Sequence, residues 1–302
     1  MLAREWERPP VGDGRMLATS REAPVYSMSS AEPRANHLAA LARTVFWRGG
    51  EDISLAAQRT WRAGLGLWLA AMIASPILLW TIGPGTFPAM ATLGVLAHAS
   101  ATSIPLITAW GWRRWLRLLL PFVVAVWLVE WIGVQTGLPF GTYHYTARLQ
   151  PQLIQIPVSV TIAWYMMLVP AWAVGRSITP RHARAADWIH AALAATAFTA
   201  WDLYLDPQMA ARGLWVWEAP GAYFGVPLQN YAGWWLISFA LTLLLRPKDL
   251  PRLPLLAIYT LTWLFQGLAL GVFWGQPGPA LCGFLVMGSF TLLAWRAEAR
   301  RW

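Results

Sequence analysis

Two aspartates four residues apart, Asp202 and Asp206, stand in the run Trp201-Asp-Leu-Tyr-Leu-Asp206-Pro207, at the end of a segment otherwise apolar enough to cross a bilayer. Four residues make about one helical turn, so the two carboxyls share a helix face. An ionisable side chain inside a membrane span costs roughly 2.5–3.5 kcal/mol on insertion scales and marks a functional site by default. Beyond residue 52 only seven acidic residues remain, and four have structural explanations. Asp187 opens a helix, where a carboxylate meets the positive end of the dipole. Asp249 and Glu298 stand among arginines, and Glu218 lies in a loop. Glu130, Asp202 and Asp206 are left, each in the outer part of its span, so carboxylates from two spans can meet inside a bundle. A carboxyl that keeps its proton is a general acid, and an ionised neighbour can orient water and stabilise positive charge. If Arg148 or Arg212 pairs with them instead, they only join helices.

The elements that must position these groups are read from hydropathy. The 302 residues are 57% hydrophobic and 12% charged, against about 25% charged in an average soluble domain, which is a membrane composition. Eight apolar spans follow one another, at Gly64 to Ile82, Phe87 to Trp110, Leu118 to Gln135, Leu153 to Gly175, Ala186 to Leu205, Tyr231 to Leu245, Pro254 to Trp274 and Pro279 to Trp295. Each is near the ~20 residues that a bilayer's hydrocarbon requires. The expected fold is all-α, a polytopic integral membrane helix bundle. Residues 1–59 differ from the rest: they hold half of the 14 acidic residues and several prolines, and are expected to be a disordered cytoplasmic tail, with 60–302 the membrane domain.

The net charge of +9 is almost wholly arginine. These arginines cluster in short loops, before the first span and after the second, fourth, sixth and eighth, which is a topology signal and a contact with anionic lipid rather than a nucleic-acid surface. Every cluster falls on one side, so a multi-pass protein of the cell membrane with both termini cytoplasmic is expected. The lipid bilayer is then the main surrounding partner, and no nucleic acid is expected. The loops Thr136 to Gln152 and Pro207 to Asn230 fall on the outer side. Both are rich in Gly, Pro and aromatics and poor in charge, so they are expected to fold over the bundle mouth as re-entrant or lid-like segments. His144, between Tyr143 and Tyr145, could reach the carboxylates from there. Five scattered histidines and one cysteine offer no metal site, and the many-histidine centre of membrane di-iron oxygenases cannot be built from them.

The run Glu130 to Tyr145 with its Thr-Gly-Leu-Pro-Phe-Gly-Thr-Tyr-His-Tyr segment, then Trp-Asp-Leu-Tyr-Leu-Asp-Pro-Gln-Met, Trp215-Val-Trp217 and Gly221-Ala-Tyr-Phe-Gly-Val-Pro-Leu-Gln-Asn230 through Trp234, closely resembles the membrane-bound carotenoid 1',2'-hydratases of bacteria and haloarchaea, the CruF type. The resemblance covers about a third of the chain. It implies addition of water to the terminal double bond of a linear carotenoid, giving a tertiary alcohol without a redox cofactor. It also implies a hydrophobic carotenoid as substrate and other carotenoid-pathway enzymes as candidate partners. The residues suit that chemistry. Asp202 is assigned as proton donor and Asp206 or Glu130 as the base for water. Trp201, Tyr143 and Tyr223 form a wall against the cation, and His144, Asn230 and Trp217 complete the substrate-binding set. Two rival readings are an intramembrane prenyltransferase, holding a magnesium diphosphate through Asp202 and Asp206, and a transporter or scaffold. The prenyltransferase needs a second Asn- and Asp-rich motif, which the sequence lacks.

Overall fold

The computed structural model describes residues 55–180 and 184–301. The expected tail lies outside these residues up to residue 54, as does Arg181 of the basic clusters. Among the described residues there are eight long helices: α1 (Leu55–Thr81), α2 (Phe87–Trp110), α3 (Trp112–Thr136), α4 (Val158–Ile178), α5 (Ala186–Ala211), α6 (Leu228–Leu245), α7 (Arg252–Leu268) and α8 (Pro277–Ala299). Seven of them are long and apolar enough to cross a membrane. The eighth is α5, whose apolar run is broken by His190, Asp202 and Asp206. The fold is an all-α polytopic membrane bundle.

Prolines explain where the helix boundaries depart from the hydropathy reading. α6 begins at Leu228 rather than Tyr231, because Pro227 sits at its N-cap, where a missing N–H costs nothing. Asn230 therefore lies in the first turn of a helix. α4 begins at Val158 rather than Leu153, because residues 152–157 form a small hairpin of β2 (Gln152–Leu153) and β3 (Ile156–Pro157). α5 runs through Pro207 to Ala211 instead of ending at Leu205. A proline inside a helix deprives the carbonyl four residues back of its donor. That carbonyl belongs to Leu203, and the Tyr223 hydroxyl donates to it at 3.2 Å.

α4 is the centre of the bundle, buried along nearly its whole length and packed against α2, α3, α5, α7 and α8. α5 packs against α4, α6 and α8, so protein covers the helix least suited to lipid. Leu67, Leu128, Leu244 and Leu285 point outward, as lipid-facing side chains should. Tyr259 ties α7 to α5 by donating to the Ala197 carbonyl at 2.8 Å, and the Trp172 indole donates to Thr242 at 2.7 Å.

The two ends of the bundle differ in chemistry. At one end the basic side chains meet: Arg252 and Arg301 both bond the buried Glu298, at 2.9 and 2.7 Å, and Arg114 reaches Asp249 at 3.2 Å. At the other end the two long loops come together. β1 (Tyr143–Tyr145) pairs antiparallel with β4 (Trp215–Trp217), in the register Tyr143 with Trp217, His144 with Val216 and Tyr145 with Trp215. Strand side chains alternate faces. Four aromatic rings consequently turn inward over the bundle, and His144 and Val216 turn out.

Candidate active site

Glu130, buried on the last two turns of α3, is the most fully partnered carboxyl in this end of the molecule. The Tyr143 and Tyr145 hydroxyls donate to its Oε2 at 2.6 and 2.8 Å, and the Trp164 indole N–H donates to Oε1 at 2.8 Å. Three converging donors and no hydrogen-bond acceptor suit a carboxylate anion. Burial first, and then the charge of Glu130, push both tyrosine hydroxyls well above the usual tyrosine range, which keeps them as donors. The loop reaches Glu130 because Phe140 plugs a slot between helices. A Cβ on Gly133 of α3 or Gly233 of α6 would lie 2.8 Å from the Phe140 ring, so only glycine at both positions admits it.

On α5, one turn apart, Asp202 and Asp206 are both buried. The amide of Asn230, presented by the first turn of α6, donates to Oδ2 of Asp202 at 3.0 Å and to Oδ2 of Asp206. One amide nitrogen thereby joins the two carboxyls. Two ionised carboxylates held this closely would repel each other. Among the described residues no arginine or lysine forms an ion pair with Glu130, Asp202 or Asp206. Arg148 donates instead to the Arg212 carbonyl, and Arg212 lies over the rings of Phe87 and Trp274. The purely ionic explanation of these carboxylates therefore has no partner for them in the described residues.

Glu130, Asp206 and Asn230 open into one cleft. Most of its lining is hydrocarbon or aromatic, from Val95 on α2, Phe140, Tyr143 and Trp217 in the loops, Trp164 on α4 and Trp234 on α6. Trp164, Trp234 and Phe198 stack with centroids 4.4 to 5.0 Å apart beneath it. Such a site can give up a proton, take one, and face a cation with several π surfaces, inside a slot that suits a long apolar chain. Among the described residues no group of three or more His, Cys, Asp or Glu side chains is placed to hold a metal ion.

Residues 90–290, about two thirds of the chain, match the family model described as "Carotenoid biosynthesis protein". The chain belongs to this family. It is also similar to a protein named bisanhydrobacterioruberin hydratase from Haloarcula japonica, with 33% identity over 118 residues, 39% of each chain. The match thus spans about two fifths of that curated relative. No solved structure matches the chain.

In this member of the carotenoid biosynthesis family, the structure gathers some of the residues expected from sequence and separates others. Glu130, Asp206, Asn230, Tyr143 and Trp217 meet in the cleft. Asp202 stands behind Asp206 and does not line it. Trp201 is buried beside Trp234 and Phe198, in a second layer. Tyr223 completes the helix at Pro207 rather than walling the cleft. His144 is exposed on the outward face of β1, because the strand's alternation turns it away from its tyrosine neighbours. Four contributors were not anticipated: Tyr145, Trp164, Trp215 and Trp234. The first and third follow from the period-two patterns Tyr-His-Tyr and Trp-Val-Trp; Trp164 carries no local signal in an apolar span.

Proposed function

We propose that this protein is a hydro-lyase that adds water to the terminal 1',2' double bond of a linear carotenoid. One observation carries the reading: a hydrocarbon-lined cleft holds an aspartate joined through the Asn230 amide to a second buried aspartate, and a separate carboxyl held by three donors, with no ion pair to any of the three among the described residues. The family and the hydratase relative support it. Protonation of the alkene at C2' by Asp206 leaves the positive charge on the tertiary C1'. Trp164, Trp217, Trp234 and Tyr143 offer ring faces to that charge. Water bonds to C1' and loses a proton to Glu130, giving the tertiary alcohol. Return of that proton to the aspartate pair closes the cycle, with no electron transferred. Asp206 is the better donor than Asp202, since it alone of the two borders the cleft. Asp202 and Asn230 act through it, Asp202 as a neighbouring like charge that favours its protonated form and Asn230 by fixing its rotamer.

We infer further that both termini are cytoplasmic, in the cell membrane, which is supported by the gathering of the basic clusters at the end opposite the cleft. The function is tested by expressing the chain in a lycopene-accumulating host. Pigments heavier by one or two waters are expected, and recovery of lycopene alone, with the protein inserted at normal level, would reject the substrate class.

A further inference from the structure

Beside the carboxylate cleft, at the same end of the bundle, lies a second cleft with the opposite charge. Its walls are Pro84 and Phe87 at the α1–α2 turn, Arg148 in the first loop, and Arg212, Gly213 and Leu214 after α5. Arg148 and Arg212 are the two basic residues of the long outer loops, and neither forms an ion pair among the described residues. A cation held at that end without an acid needs a reason. Capping supplies part of it, since Arg212 Nη1 reaches the Gln208 carbonyl at 3.4 Å and Arg148 Nη1 the Arg212 carbonyl at 2.6 Å, both at the negative end of α5. Each bond uses one nitrogen of a guanidinium that carries five N–H donors, so most of the donors of both remain to face the cleft.

The Arg212 guanidinium is also fixed in place, 4.2 Å from the Phe87 ring centroid and 4.8 Å from that of Trp274. A cation packed against two rings has lost rotamer freedom before any ligand arrives, which favours anion binding. Arg148 adds a second, more exposed guanidinium from the facing wall, bonded to Arg212's own carbonyl. Paired guanidiniums suit a tetrahedral oxyanion, which accepts parallel N–H bonds. The carboxylate cleft has no use for such an anion, because its own ionisable groups are acids.

We propose that Arg148 and Arg212 bind a phosphate group, as the headgroup of an anionic phospholipid or as free phosphate. A bound phosphate bridges the first outer loop to the end of α5. Leu214 lines both clefts, so this bridge braces one wall of the carboxylate site. The proposal does not depend on what the carboxylate cleft transforms.

The test is a binding measurement on the full chain purified in mild detergent. Native mass spectrometry follows retention of dioleoylphosphatidylglycerol and dioleoylphosphatidylcholine, and thermal shift follows inorganic phosphate. The wild type is expected to retain one phosphatidylglycerol in preference to phosphatidylcholine. Arg148→Gln alone, at an exposed position, should weaken it about tenfold, with a further loss in the double Arg148→Gln/Arg212→Gln variant. Arg212→Lys should restore part of what Arg212→Gln loses. Arginine-dependent stabilisation by inorganic phosphate, without lipid retention, assigns the site to free phosphate. Equal lipid retention in the wild type and in the Arg148→Gln variant, with no arginine-dependent response to phosphate, overturns the proposal.

Discussion

Replacing Glu130 by Gln changes one oxygen into an amide nitrogen and leaves the side chain's size intact, so its effect isolates charge and acceptor number. The carboxylate accepts from Tyr143 and Tyr145 on Oε2 and from Trp164 on Oε1. Glutamine keeps only one acceptor oxygen. The Trp164 indole can only donate, so that oxygen should turn toward it, and the new amide then meets two tyrosine hydroxyls that must rotate to accept. Hydrogen bonds to a charged group contribute about 1.5–3 kcal/mol and neutral ones about 0.5–1.5, so converting three of them costs roughly 2–4 kcal/mol in a buried site. The same change removes the proposed base, for which a loss of about 10²–10⁴ in turnover is expected. Thermal unfolding of the detergent-purified variant and product formed per unit of inserted protein measure the two effects separately. Wild-type turnover in Glu130→Gln would refute its role as base, and unchanged stability would refute the reading that three donors serve a charge.

Asp206→Asn should lose about 10²–10⁴ in product formation, while Asp202→Asn, one layer further from the cleft, should lose less; the reverse order would reassign the donor to Asp202. Gly233→Ala should destabilise the protein by about 1–3 kcal/mol, because the new methyl meets the Phe140 ring at 2.8 Å and the Pro139 carbonyl oxygen at 2.9 Å, and unfolding measurements on the variant check it. Reporter fusions after residues 110, 176 and 246 should read cytoplasmic and a fusion near residue 148 external; a cytoplasmic reading at 148 would invert the topology.

The bundle was legible because hydropathy acts over whole spans, and a run such as Phe87–Trp110 leaves little else for the chain to do. The three carboxylates were legible for the same reason, since each stands out against an apolar background. What hydropathy does not carry is local backbone detail. Pro227 reads as an obstacle to helix but serves as its cap, and Pro207 reads as an end but is carried through because Tyr223, twenty residues on, completes Leu203. The side of a strand on which a residue falls is equally local. His144 carries the most versatile side chain of its loop, yet the pairing of β1 with β4 turns it out and turns Tyr145 in. Trp164 was hidden by abundance, as one of 22 tryptophans, until the fold brought its indole to Glu130.

The central claim is that the oxygen of the product comes from water through acid–base catalysis by Asp206 and Glu130. Membranes carrying the protein, supplied with a linear carotenoid in ¹⁸O-labelled water without molecular oxygen and with a magnesium chelator present, test it most directly. The account predicts a tertiary alcohol carrying the heavy label at the wild-type rate, and none from Asp206→Asn on the same time scale. An unlabelled alcohol, a requirement for oxygen gas, or loss of activity on chelation would contradict it.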